Sequence, residues 1–380
     1  MELLKNPLVY VTKVKERAEG MPESDLYSIV AGDGSLDTFG LLSAPETAAI
    51  INQKHADIVV FKNSKQIEEL AQKNKWNLLN PSAELAEKIE NKITQVAWLG
   101  DLASFLPPHH ITLVKKIVRD PNEGATSILQ WAHSHTGGGT IHLTKETDLK
   151  TLQEKFPERE ARVTTYIKGP MFTANIVVAK DKILVGNISY QITGLSPFTE
   201  KTFSTIGNDW SVPHTILTEA RLEDFNQMAT RIGERLQKEG WRGLFGIDVV
   251  YDEERDKLFL IEINARQPAS TTYESQLQLK ARELGVPGLT TFEAHLLALI
   301  NSPIEKQLIE INDGAQIIQR VTSKVNKVDT KELVQAGYNI IAYNNSKLND
   351  DLVRIQSKLG IMEAHDKFNK RGKEIEGLLA

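Results

Sequence analysis

The stretch from Gly243 to Arg266 restricts this chain more than any other. Gly243-Leu244-Phe245-Gly246-Ile247-Asp248-Val249-Val250-Tyr251 and Leu258-Phe259-Leu260-Ile261-Glu262-Ile263-Asn264 are two apolar runs. The charged segment Asp252 to Lys257 between them reads as the turn of an antiparallel hairpin. Side chains alternate along a strand, so Phe245, Ile247, Val249 and Tyr251 take one face and Gly246, Asp248 and Val250 the other. On the second strand Leu258, Leu260, Glu262 and Asn264 are expected to share a face. A turn symmetric about Arg255 sets Asp248 opposite Glu262, with Asn264 two residues farther along. Facing carboxylates among apolar neighbours repel, and a divalent cation relieves the conflict. Two carboxylates and an amide are hard oxygen donors, suited to magnesium or manganese rather than zinc. The competing reading is a solvated outer face on which Asp248 and Glu262 are simply exposed.

Composition removes other chemistries. Without cysteine there are no thiolate nucleophiles, disulfides, iron–sulfur clusters or cysteine-ligated zinc. Lysine and arginine number 45 against 50 acidic residues, a formal charge of −5, so no general positive field draws the chain to nucleic acid or an anionic membrane. Met1 to Lys13 lacks the apolar stretch of a secretory leader, and runs such as Leu296–Ile300 are too short to cross a bilayer. The expectation is a cytoplasmic protein acting on small molecules, with no nucleic-acid or membrane partner; a homo-oligomer is compatible with it.

A length of 380 residues suits two or three domains. Leu8–Thr12 and Asp57–Phe61 read as strands, Ser64–Asn74 as a helix, and Ala83–Leu102 as a second helix after the break Asn80-Pro81-Ser82. Residues 1–105 thus form a small α/β domain, with Gly32–Gly40 as a surface connection. Beyond Leu106-Pro107-Pro108 the texture changes to strands separated by turns: Ser127–Trp131, Thr140–Thr144, Arg162–Ile167, Phe172–Val178 and Ile183–Ile188. Amphipathic helices follow at Thr218–Gly240 and Thr291–Asn301, so 106–310 reads as an α+β region with much antiparallel pairing. Residues 311–380 form an α/β extension, with a strand at Gln316–Val321 and a charged helix from about Asp350 onward. Lys367–Lys373 is a solvated helix face.

Between the strands Ser127–Trp131 and Thr140–Thr144 stand Gly137-Gly138-Gly139, whose backbone N–H groups can close over phosphate oxygens without side-chain obstruction. No Lys-Ser/Thr follows, so this is not a Walker loop. By itself the segment is equally a bland turn. His133-Ser134-His135 are loop residues rather than metal ligands, and His109-His110 mark the domain boundary.

Taken in order, these parts resemble the ATP-grasp superfamily, in particular nucleotide-binding domains of the biotin carboxylase and D-alanine:D-alanine ligase type, over roughly residues 80–300. Glu262-Ile263-Asn264-Ala265-Arg266 looks like the family's Glu-x-Asn-x-Arg, and the glycine loop lies in the expected place upstream. The resemblance implies a small α/β domain before an ATP-grasp fold of two α+β subdomains. It implies ATP with magnesium or manganese held by Asp248, Glu262 and Asn264, and Arg266 facing the transferred phosphoryl group. It further implies a phosphate lid at Gly137, Gly138 and Gly139, a phosphate-contacting Lys92, and an adenine-binding hinge along Val163–Ile167, including Tyr166 and Ile167. Gln130 stands where many relatives carry a phosphate-binding lysine, and Thr164 and Thr165 where they often carry Glu and Lys. The implied reaction phosphorylates a carboxylate with ATP and lets an amine displace phosphate, forming an amide or peptide-like bond. Two alternatives are a carboxylase using bicarbonate and a nucleotide-binding protein without turnover.

Overall fold

The structure, a computed structural model, describes residues 4, 6–32, 34–118, 126–132, 139–144, 146–343 and 345–379, with the side chains of 146 and 147 left aside. Strand β1 (Leu8–Thr12) is buried along its whole length, because β2 (Tyr27–Ala31) and β3 (Asp57–Val60) flank it in parallel and helices cover both faces. Val9 and Val11 pack with Leu41, Ile51 and Ile67 on one side. Leu8 and Tyr10 pack with Phe292 and Leu296 of the helix Thr291–Leu299 on the other. The parallel unit is thereby fixed to the body of the protein.

The expected helix from 83 to 102 is two helices, Ala83–Glu90 and Thr94–Leu99. Asn91 ends the first in an extended conformation, and its side-chain oxygen accepts from the amides of Ile93 and Thr94 at 2.9 and 3.3 Å. A continuous helix would have left Asn91 mid-turn with nothing to cap. Both helices bury apolar side chains, Ala86, Ile89, Trp98 and Leu99, in the largest core of the molecule.

Two antiparallel sheets follow. The smaller runs in the order β4 (His109–Leu113), β7 (Glu160–Thr165), β5 (Ser127–Gln130), β6 (Thr140–Leu143), so His109 and His110 open a strand. The larger contains β8 (Met171–Val178), β9 (Ile183–Val185), β10 (Ser189–Thr193), β11 (Thr205–Asp209), β12 (Gly243–Asp252), β13 (Lys257–Asn264), β14 (Ala315–Arg320), β15 (Asn339–Ala342) and β16 (Asp351–Ser357). Its order is β13-β12-β8-β10-β11-β14-β16-β15, with β9 paired to β8. The helix Glu219–Lys238, capped by Thr218, lays Phe225, Met228, Ile232 and Leu236 into the same core as Phe245, Ile247 and Val249. Burying side chains of this size contributes roughly 1.5–3 kcal/mol each.

Two expectations are corrected here. Residues 351–357 are a strand, and a short helix, Lys370–Leu378, comes only afterwards. The charge pattern suggested a solvated helix, but Arg354 and Gln356 are buried. The second correction concerns faces on β13. Val249 pairs with Leu260 while Asp248 pairs with Glu262, so Ile261 is an extra residue, a β-bulge. Leu258, Leu260 and Ile263 enter the large core, whereas Phe259 and Ile261 lie with Val250 on the opposite side, the side of Asp248. Leu258 and Leu260 therefore do not share the face of Glu262 and Asn264. A regular hairpin counted from the Asp252–Lys257 pair would set Asp248 against Ile261; the bulge brings Glu262 there instead.

Among the described residues, no helix is long and apolar enough to cross a membrane.

Candidate active site

A cleft of about 480 Å³ opens between the two sheets, bounded also by the N-terminal unit and by β14 and β16. Asp248, Glu262, Asn264, Lys62, Arg162 and Arg266 are among the residues that line it.

The hairpin holds the acidic corner. Asp248 faces Glu262 across the pair, and the Asn264 amide nitrogen donates to Asp248 Oδ2 at 3.2 Å. Burial, then the Glu262 charge, pushes the Asp248 carboxyl up to about 6. Burial also acts to raise Glu262, but Lys92, whose Nζ lies 2.6 Å from Glu262 Oε1, together with Arg266 and Arg162, holds it below the ordinary value. One carboxylate of the pair is thus neutralised by a lysine and the other is left under-compensated. That is a donor set short of positive charge, and a magnesium ion fits it: Asp248, Glu262 and the Asn264 carbonyl would supply oxygens. In the present arrangement the Asn264 oxygen accepts instead from Arg266 Nη2 at 3.0 Å. Among the described residues there is no cluster of three or more acids or histidines, so phosphate or water oxygens must complete any coordination shell.

Lys92 reaches this corner because the helix break puts it in a turn, where its amide donates to Ala132 O at 2.9 Å; its side chain is almost fully buried. Arg266 Nε lies 3.4 Å from Glu90 Oε1, and Glu90 Oε2 is 2.6 Å from Lys62 Nζ. The Arg266 guanidinium also lies 5.9 Å from the Phe61 ring centre, toward the N-terminal unit.

Gln130 ends β5 opposite Arg162 on β7. Its Oε1 accepts from Arg162 Nε and Nη2 at 3.0 and 2.8 Å, so the glutamine orients an arginine. Arg162 is 1% exposed and also donates to Gln95 Oε1 and to the carbonyl of the bulged Ile261. Burial lowers its pKa to about 10, and Glu262 raises it, so it stays a cation at neutral pH.

Tyr166 and Ile167 follow β7 and line the cleft. The Tyr166 ring packs 4.4 Å from His142 and 6.3 Å from Phe203, while its amide donates to Thr126 O. Gly139 accepts from the Trp131 amide at 3.2 Å; Gly137, Gly138 and His133–His135 lie outside the described residues.

The sequence reading missed Glu90, Arg162 and, on another wall of the cleft, Arg17, Arg320 and Arg354. Arg162, Arg320 and Arg354 lie in strands that also carry Glu, Thr, Gln, Asp or Ser, so no local pattern sets them apart as the apolar neighbours set apart Asp248.

Comparison with known proteins bears on this geometry. Residues 89–270 match the family model for an ATP-grasp domain. No curated protein sequence matches. Among solved structures, the chain is similar to N5-carboxyaminoimidazole synthetase from Staphylococcus aureus complexed with ADP, with a TM-score of 0.69 at 13% identity over 99% of this chain and 98% of that one. The Aspergillus clavatus N5-carboxyaminoimidazole synthase, in complex with ADP and 5-aminoimidazole ribonucleotide, gives 0.66 at 16% identity over 93% and 94%. The Thermotoga maritima N5-carboxyaminoimidazole ribonucleotide synthetase gives 0.63 at 12% over 98% and 97%. At such identities the likeness speaks for the fold. With the acidic hairpin and the buried lysine inside the matched segment, residues 89–270 are an ATP-grasp domain, and the near whole-chain likeness shows a fold shared with these structures.

Proposed function

We propose that the protein is an ADP-forming carbon–nitrogen ligase that activates a carboxylate as an acyl phosphate and passes the acyl group to an amine. The observation carrying this reading is the meeting of Asp248, Glu262 and Asn264 with Lys92 and Arg266 at one end of a cleft large enough for a nucleotide and a small molecule. In this reading residues 1–105 close the cleft, 106–310 hold the nucleotide and 311–380 complete the acceptor wall.

The carboxylate oxygen attacks the γ-phosphorus of ATP and the bond to the bridging oxygen breaks, releasing ADP. The amine nitrogen then attacks the activated carbon, inorganic phosphate leaves, and the nitrogen loses a proton. Bound magnesium supplies charge neutralisation to the triphosphate. Lys92 and Arg266 place positive charge where the transferred group becomes more negative, and Arg162 adds a fixed cation beneath Glu262; such transfers depend mainly on positioning and electrostatics. Tyr166 and Ile167 line the wall assigned to the base. No nucleophilic side chain is required.

A second reading takes bicarbonate as the carboxylate. It is favoured by the near whole-chain likeness to N5-carboxyaminoimidazole synthetases. One assay separates the two: ADP release in the presence of magnesium, with bicarbonate-depleted buffer plus amino acids in one arm and labelled bicarbonate plus small amines in the other. Turnover restricted to the bicarbonate arm selects the carboxylase, turnover without bicarbonate selects the acid–amine ligase, and nucleotide binding with no turnover in either arm defeats both.

A further inference from the structure

A second wall of the cleft is formed by elements other than the Asp248–Glu262 hairpin. It is built from the turn Lys15–Arg17 of the N-terminal unit and from β14 and β16, and it presents Arg17, Arg320 and Arg354. Three guanidinium groups on one cavity wall repel each other and are costly to desolvate, so their pairing decides what the wall is for.

Arg354 is 3% exposed. Its Nε donates to Tyr343 Oη at 3.0 Å and lies 3.4 Å from Glu16 Oε2, and Nη1 donates to Gln316 Oε1 at 3.1 Å. Its Nη2 is buried without a hydrogen-bond partner. Arg320 is also buried: Nη1 serves Asn349 O and Asp351, Nη2 serves Thr205 O, and Nε has no hydrogen-bond partner. Arg17 shares Glu16 with Arg354, at 3.6 Å from Nε. Three cations thus stand against the two carboxylates Glu16 and Asp351, one of them shared. Burial and then the Arg354 charge depress the Arg17 guanidinium below its ordinary value, whereas at Arg354 burial is outweighed by Glu16 and Tyr343, which hold it above its own. Arg17 lies 5.0 Å from the centre of the Phe61 ring and Arg266 lies 5.9 Å from it, so this wall adjoins the phosphoryl-transfer corner.

We propose that Arg17, Arg320 and Arg354 bind the anionic end of the acceptor, a phosphate monoester or a carboxylate, so that the amine substrate is an acidic small molecule. Arginine forks match either oxyanion bidentately, and the two unpartnered buried nitrogens are donors that such a group satisfies. The proposal rests on the ligase reading, because it assigns the wall to that reaction's second substrate.

The test uses the full chain saturated with magnesium and a non-hydrolysable ATP analogue, which occupies the triphosphate corner. It is titrated calorimetrically with inorganic phosphate, ribose 5-phosphate and succinate. Binding of at least one anion is expected, weakened tenfold or more in Arg354→Gln and Arg320→Gln, largely kept in Arg354→Lys, and with nucleotide affinity changed less than threefold. Preference for the phosphates identifies a phosphorylated acceptor, and preference for succinate a carboxylated one. Because Arg354 and Arg320 sit in sheet strands, Arg17→Gln, on the turn, carries the same expectation should those variants not fold. Failure of all three anions to bind, or equal binding by Arg17→Gln and the wild type, overturns the proposal. Failure of the nucleotide analogue to bind the wild type instead defeats the ligase reading.

Discussion

Arg162 donates through both Nε and Nη2 to the single Oε1 of Gln130, at 3.0 and 2.8 Å, from the paired position on the neighbouring strand. In the proposed ligase reading, Arg162 carries one strand away, aimed by the glutamine, the positive charge that a lysine at 130 would supply. Replacing Arg162 with methionine should reduce kcat/KM for ATP by about 10²–10³-fold, the range for loss of one preorganised electrostatic contact. Arg162→Met combined with Gln130→Lys should regain part of that loss. A double variant no better than the single one, in steady-state kinetics and ADP binding, would remove Arg162 from the phosphate environment.

Asp248 is expected to show opposite effects on stability and activity. Its carboxyl is pushed up to about 6 by burial and by Glu262, so at pH 7.5 the folded, metal-free protein holds a charge that the unfolded chain accommodates more readily. Asp248→Asn should raise the denaturant midpoint of the metal-free protein, by about 1–3 kcal/mol in unfolding free energy. The same variant should lose magnesium-dependent ADP formation. Urea titrations with and without magnesium check the first part, and a coupled ADP assay the second.

The parts of this site that the sequence exposes are those whose chemistry shows in local pattern. Asp248, Glu262 and Asn264 stand out because acids in apolar strands demand a partner, and the register joining them is present in the structure. The bulge at Ile261 is not visible in the alternation, because Phe259, Leu260, Ile261 and Ile263 are all apolar and either face suits them. The strand 351–357 failed for the converse reason: Arg354 and Gln356 look solvated until β14, β15 and the N-terminal turn are seen to enclose them. The pairing of Arg17 with Arg354 through Glu16 joins residues more than three hundred positions apart, and no local pattern reports it.

Lys92 is the compensating charge for Glu262 and is almost completely buried. Lys92→Met removes it while filling most of the same volume. Breaking a buried pair costs about 3–5 kcal/mol when the remaining charge stays enclosed. Glu262 keeps a third of its side chain exposed and still has Arg266 and Arg162 nearby, so a loss of about 1–2 kcal/mol is the discounted expectation. The variant should also reach half-maximal turnover at a lower magnesium concentration, since Glu262 then lacks its nearest competing cation and the carboxylate pair attracts the metal more strongly. An unchanged dependence of turnover on magnesium would separate Lys92 from the metal corner.

The pH dependence of stability can be followed at Glu293, away from the reacting groups. Its Oε2 accepts from the Thr290 amide, closing a capping box at the start of the helix Thr291–Leu299, and its two oxygens meet the Arg282 guanidinium. Burial tends to raise this carboxyl, but the bonds from Arg282 and Thr290 prevail and hold it below 4.5. A carboxylate depressed in the folded state contributes stability above its unfolded value, and that contribution disappears as pH falls through the folded one. Glu293→Gln should therefore cost about 1 kcal/mol at pH 7, the usual weight of a cap contact. The difference from wild type should shrink as the pH is lowered below the ordinary glutamate range. Because Phe292 and Leu296 on this helix pack against Tyr10 and Leu8, the loss should appear first as faster amide exchange in β1. Equal destabilisation of the variant at pH 7 and pH 3.5 would show that the carboxylate charge contributes nothing to this junction.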